Sequence, residues 1–134
     1  MAVRVVRLGT PRLPDEGIRL GTVRRPPRGV RKDDLARKDY YDVWLPELAP
    51  SAALVSSALA QDWTPARWAR FAQRYTREMR AAQAQHLIAT LAALSHQSNF
   101  SIGCYCKDET RCHRSLLRQL LVEAGAELAK DNDY

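Results

Sequence analysis

No apolar run in the 134 residues approaches the roughly 18 that a membrane span needs, so a membrane partner is not expected. No long low-complexity tract and no internal repeat is present, which excludes fibrous, repeat and disordered classes. Met1-Ala2-Val3-Arg4-Val5-Val6-Arg7 lacks the apolar centre of a signal peptide and reads as a first strand. The chain is therefore read as cytoplasmic. Cysteine is scarce: there are three, all between positions 104 and 112. In a reducing compartment, thiols clustered in this way are reactive or metal-bound more often than disulfide-bonded. Histidine is equally scarce, and one of the three, His113, lies in the same stretch.

What the chain does contain is the composition of one globular domain, with 46% hydrophobic and 27% charged residues. Charge is distributed unevenly. Residues 1–38 hold eleven Lys+Arg against four Asp+Glu, and the remainder holds ten against eleven. The net +6 thus comes from the N-terminal third, chiefly Arg19, Arg24, Arg25, Arg28, Arg31 and Lys32. Such a field suits a phosphate-bearing or otherwise anionic partner, and nucleic acid is one candidate. Against nucleic acid, the basic loop lacks interleaved aromatics and matches no recognised binding motif.

Periodicity predicts strands over Val3–Leu8 and Ile18–Val23. Between them and beyond, Arg24-Arg25-Pro26-Pro27-Arg28-Gly29 is a loop, stiffened by two prolines that donate no hydrogen bonds. The spacing of Tyr41, Trp44, Leu45 and Leu48 predicts a short helix within 39–49. Ser51 caps a helix reaching about Leu59, and Thr64-Pro65 opens another. In that second helix Trp68, Phe71, Tyr75 and Met79 form an inward stripe and Arg67, Arg70, Arg74, Arg77 and Arg80 a solvent face. Helix is expected to continue through Gln85–Leu94. A buried strand is expected over Phe100–Cys106, and a last helix from near Cys112 to Gly125. Residues 130–134 are expected to fray. The predicted fold is α/β, a short layered sheet covered by helices in a single domain over 1–134.

The chemistry concentrates in Cys104-Tyr105-Cys106-Lys107-Asp108-Glu109-Thr110-Arg111-Cys112-His113-Arg114. It lies where a strand hands over to a helix N-terminus, a position at which free N–H groups and the helix dipole favour anions and thiolates. Three readings stand. As a nucleophile site, Cys112 carries the thiolate, His113 the proton and Arg114 an oxyanion clamp, with Arg111 beside them. Cys106 is the alternative thiolate, at a strand end as in rhodanese-like sulfurtransferases, although its loop has no glycine. As a metal site, Cys104, Cys106, Cys112 and His113 offer ligands that suit zinc, though not at the common C-x2-C spacing. As a dithiol, Cys104 and Cys106 share a strand face with Cα atoms roughly 6.5–7 Å apart, at or past the limit for a bridge, so that pair would need distorted backbone, and Cys112 could reach either if the five-residue loop folds back. His86 and His96 read as ordinary surface or packing residues.

Several segments resemble the domain of unknown function 488 family, in particular its YeaO-like branch. These are Gly17-Ile18-Arg19 followed by Arg24 and Pro27-Arg28-Gly29; Trp44-Leu45 with Leu48-Ala49-Pro50-Ser51; the Trp68, Phe71, Tyr75 helix; and Cys104 with Cys112-His113-Arg114. Where that family often has an acid, this chain has Cys106. The resemblance implies an α/β fold and a pocket shared by the N-terminal arginines and the Cys-His-Arg turn. The resulting expectation is an anion-binding, enzyme-like pocket with Arg19, Arg24, Arg28 and Arg111 facing the ligand. The alternatives are a nucleic-acid-binding module and a zinc-stabilised structural domain.

Overall fold

The computed structural model describes residues 1–60 and 62–130. Four strands, β1 (Val3–Arg7), β2 (Ile18–Gly21), β3 (Val43–Trp44) and β4 (Phe100–Cys104), form one all-parallel sheet in the order β1-β4-β2-β3. The last strand in sequence is therefore inserted between the first two, with Phe100 opposite both Val3 and Ile18. Parallel strands are covered on both faces, so an inner strand is buried along its whole length. That is the state of β4, Phe100 through Cys104.

Gly103 and Gly21 are two points of close approach between the sheet and its neighbours. A Cβ at Gly103 would lie 2.6 Å from Leu8 Cδ2 and 2.8 Å from Val6 O, and one at Gly21 would lie 2.4 Å from the Tyr41 ring.

Four helices cover the sheet: α1 (Ala52–Leu59), α2 (Pro65–Glu78), α3 (Ala82–Leu94) and α4 (His113–Glu123). The two sequence caps are present. Ser51 Oγ accepts from Leu54 N and Thr64 Oγ1 from Arg67 N. The main core joins Val3, Val5, Leu20 and Ile102 of the sheet to Leu54, Phe71, Tyr75, Ile88, Leu117 and Leu121 of the helices. Leu8, Val23, Tyr41, Cys104 and Cys112 form a second apolar cluster at the carboxyl ends of the strands. No helix among the described residues is long and apolar enough to cross a membrane.

Three expectations are corrected. Residues 39–49 are not a helix. Asp42 N donates to Arg19 O and Leu45 N to Gly21 O, which extends the sheet edge as β3, and only a 3₁₀ turn follows over Pro46–Leu48. The helical spacing of 41, 44, 45 and 48 is overridden by those edge pairings and by Pro46, which has no N–H. Helix is not continuous from 65 to 94 either. It stops at Met79, whose carbonyl accepts from Gln85 Nε2 at 2.7 Å, and restarts at Ala82. Finally, β4 ends at Cys104, two residues short of Cys106. Of the tail expected to fray, 131–134 lie outside the described residues.

Candidate functional site

Beyond Cys104 the chain leaves the sheet through Tyr105 and Cys106 and enters a 3₁₀ turn at Glu109–Arg111. Asp108 Oδ1 organises this turn by accepting from Thr110 N and Thr110 Oγ1. The turn folds the chain back, so that Cys112 becomes the N-cap of α4 beside the end of β4. As a result the three sulfurs all lie within 4.8 Å of one another, and Cys104 Sγ is 3.7 Å from Cys106 Sγ. Cys104 and Cys112 are buried, 6% and 2% exposed, whereas Cys106 is exposed.

His113 is buried with them. Its Nε2 lies 2.6 Å from Thr22 O, an acceptor only, so Nε2 carries the proton. The unprotonated Nδ1 then faces Cys112 Sγ at 3.9 Å. Burial lowers the His113 pKa to about 4, against the opposing hydrogen bond to Thr22, so the ring is neutral at pH 7. Arg114 is 2% exposed and donates from Nη2 to Cys106 O at 2.8 Å. Its Nε and Nη1 are buried without a hydrogen-bond partner.

The three thiols share charge unequally. The Cys106 thiol is lowered from its ordinary value, first by its hydrogen bond to Cys104, then by that to Cys112, with the charge of Arg114 adding to both. Cys104 is raised, chiefly because it donates to Cys106, and Cys112 is raised by its contacts with Cys104 and Cys106 and by burial. Of the three, Cys106 is therefore the thiol most readily ionised. Nearby Glu109 is raised by burial, against the charges of Arg118 and Arg114.

A cavity of about 450 Å³ opens at the carboxyl ends of β2 and β4, where parallel α/β sheets commonly take their ligands. Its inner end is lined by Cys104, Cys106, Cys112 and His113. Apolar walls come from Pro26 and Pro27, from Val55, Ala58 and Leu59 of α1, and from Trp63 and Phe71. Arg24, Arg25, Arg28 and Arg111 also line it.

The arginines named from sequence are thus divided. Arg28 and Arg111 face the cavity, Arg111 with its guanidinium carbon 5.9 Å from the Trp68 ring centre. Arg24 lines the cavity, but its guanidinium is engaged by the carbonyls of Pro50, Pro46 and Ala49. Arg19 does not join them. It is 1% exposed, paired with Glu16 at 2.8 Å, and bonded to the carbonyls of Thr10, Pro11 and Asp39. Arg114 stands behind Cys106 and is not among the lining residues. Within the basic N-terminal segment, Arg12 pairs with Asp39 and Asp42, and Arg37 with Asp34. Of the residues that chiefly carry the N-terminal charge, Arg19 and Arg24 are engaged within the fold, whereas Arg25, Arg28, Arg31 and Lys32 are exposed.

Each of the three cysteines offers one sulfur, so the trio can hold a metal ion. His113, expected as a fourth ligand, is outside that group, and its Nε2 is committed to Thr22. Sequence reasoning missed Thr22, Trp63 and Phe71 as site residues. Only the tertiary fold brings Thr22 to His113 and Trp63 and Phe71 to the cavity wall, and no local pattern signals it.

The architecture and the site together define an α/β protein with a cysteine cluster at the carboxyl end of its central parallel strand. The chain belongs to the DUF488 family, a domain of unknown function: residues 3–125 match the model of DUF488-N3a, described as the active DUF488-N3 subclade. No curated protein and no solved structure matches the chain.

Proposed function

We propose that the protein binds an anionic small molecule with an apolar body in this cavity and presents the Cys106 thiolate to it as a nucleophile. The observation that carries the reading is the position of Cys106. It is the exposed member of the trio, it lines a cavity that Arg25, Arg28 and Arg111 also line, and two buried thiols stand against its sulfur. Arg25, Arg28 and Arg111 supply charge for a carboxylate or phosphate group. Cys112, His113 and Arg114 act as positioning residues. His113 links the first turn of α4 to the end of β2 and faces the Cys112 sulfur, and Arg114 holds the carbonyl of Cys106. The nucleophile's role thus passes from Cys112, which is buried at the helix cap, to Cys106. The test is protection. Inorganic phosphate and benzoate, at matched ionic strength, are expected to slow alkylation of Cys106 by iodoacetamide in the native protein, and Arg28→Ala to weaken that protection. Equal rates with and without either anion would count against the reading.

A second reading has its own observation. A tetrahedral zinc with Zn–S bonds of about 2.3 Å places its sulfurs about 3.8 Å apart, and Cys104 and Cys106 are 3.7 Å apart. Cys104, Cys106 and Cys112 would hold the ion. With three protein ligands it would act as a Lewis acid on whatever enters the cavity. Stoichiometric zinc in freshly purified protein, with all three thiols unreactive, would select this reading.

A further inference from the structure

We infer that Cys106 and Cys104 work as a dithiol pair, with Cys106 attacking the disulfide of a small anionic thiol and Cys104 resolving the mixed disulfide that results. This rests on the reading that Cys106 is the nucleophile of an anion-accepting cavity, and it names the class of substrate.

The argument begins with what stands next to Cys106. A thiol that forms an acyl or phosphoryl intermediate needs a base and a water to release it. His113 is not placed for that task, because its Nε2 donates to Thr22 O and its Nδ1 faces Cys112. What does stand against Cys106 Sγ is another sulfur, Cys104 Sγ, at 3.7 Å. A neighbouring thiol is useful to an attacked sulfur when the bond to be broken is S–S, the bond that thiol–disulfide exchange makes and breaks.

Exposure sets the order of the two. Cys106 is open to the cavity, and Cys104 is 6% exposed and cannot meet a bulky substrate first. The bridge is sterically accessible because β4 stops at Cys104. Cys106 has no strand partner, so the extended spacing of roughly 6.5–7 Å for residues two apart does not bind this pair. The cavity fits the substrate class: Arg25, Arg28 and Arg111 suit carboxylates, and Pro27, Val55 and Phe71 suit the apolar body of an organic disulfide.

The chemistry balances. The Cys106 thiolate attacks one sulfur of RS–SR, the S–S bond breaks, and RS⁻ leaves and takes a proton from water. Cys104 gives its proton to solvent as it attacks Cys106 Sγ. The mixed disulfide breaks and the second RS⁻ departs. The second RS⁻ is likewise protonated from water, so the substrate gains two electrons, the protein loses two, and the products are two RSH and one Cys104–Cys106 disulfide. An external dithiol reductant returns the pair to its starting state.

The probe is dithiobis(nitrobenzoate), an aromatic dianionic disulfide, applied to reduced native protein. The wild type is expected to release two thionitrobenzoates per chain and keep no adduct. Intact mass should fall by two hydrogens, and digestion should yield a bridge between Cys104 and Cys106. Cys104→Ser and Cys104→Ala are both expected to stop after one release, with a stable adduct on Cys106, whereas Cys112→Ser is expected to react more slowly, because Cys106 loses a hydrogen-bond partner, yet still to release two thionitrobenzoates and form the Cys104–Cys106 bridge. A stable adduct on wild-type Cys106 after a single release would overturn the dithiol pair and leave the nucleophile reading standing. A bridge to Cys112 in place of Cys104 would overturn the assignment of the resolving thiol. A Cys106 that does not react in the native protein would sink both readings.

Discussion

The His113 ring donates to the carbonyl of Thr22 at 2.6 Å, 91 residues earlier in the chain. One hydrogen bond thus ties the first turn of α4 to the end of β2, and His113 itself lines the cavity. Burial keeps the ring neutral, and the bond to Thr22 leaves its free nitrogen toward the Cys112 sulfur. The consequences can be measured.

The first concerns acid stability. The folded His113 pKa is lowered to about 4 from its ordinary 6.5. Between those values the unfolded chain binds a proton that the folded chain does not, so folding stability falls as pH falls from 6.5 toward 4. The ceiling is about 3 kcal/mol. His113→Asn is predicted to remove this component, so its difference from wild type in urea unfolding should shrink as the buffer is acidified. A difference that stays constant from pH 7 to pH 4 would contradict the buried neutral ring.

Arg114 is predicted to act through Cys106 without touching the ligand. In Arg114→Met the Cys106 carbonyl loses its donor and the thiolate a nearby charge. The alkylation midpoint of Cys106 should move up by about one pH unit. Arg114→Lys should restore it only in part, because an ammonium does not reproduce the guanidinium geometry. Anion protection should survive in both variants, and its loss would place Arg114 in the binding set instead.

Arg19 and Arg28 are predicted to separate stability from binding. Arg19→Met leaves Glu16 as a buried unpaired acid, which costs about 3–5 kcal/mol. Arg28 is exposed on the cavity rim, and Arg28→Ala should change stability by no more than about 0.5 kcal/mol. Chemical denaturation measures both. Phosphate protection of Cys106 should weaken only in the Arg28 variant.

Chelation discriminates between thiol and metal. The thiolate reading predicts the same Tm with and without a strong chelator. A structural zinc contributes directly to folding free energy, so the zinc reading requires a large drop in Tm and the release of one ion per chain.

The strand–loop–helix that carries the site was legible in the sequence because periodicity changes sharply there. Phe100–Cys104 is uniformly apolar or small, and Leu116, Leu117, Leu120 and Leu121 follow at helical spacing. Caps at Ser51 and Thr64 were legible because capping is a local interaction. Residues 39–49 were misread because pairing to the carbonyls of Arg19 and Gly21 is a tertiary effect that helical spacing cannot anticipate. The return of Cys112 to Cys104 depends on a 3₁₀ turn that leaves no periodic trace. The arginines were the hardest to sort. Arg19, Arg24 and Arg28 are alike in sequence, and only the fold decides which meets Glu16, which meets three carbonyls and which meets the cavity.

The most direct test of the central claim is the pH dependence of alkylation in reduced native protein, resolved by residue with mass spectrometry. The account predicts that Cys106 reacts first and at full rate well below pH 8.5, the ordinary thiol value, while Cys104 and Cys112 stay unmodified until the protein unfolds. Preferential reaction at Cys112, or a Cys106 that titrates at the ordinary value, would contradict it.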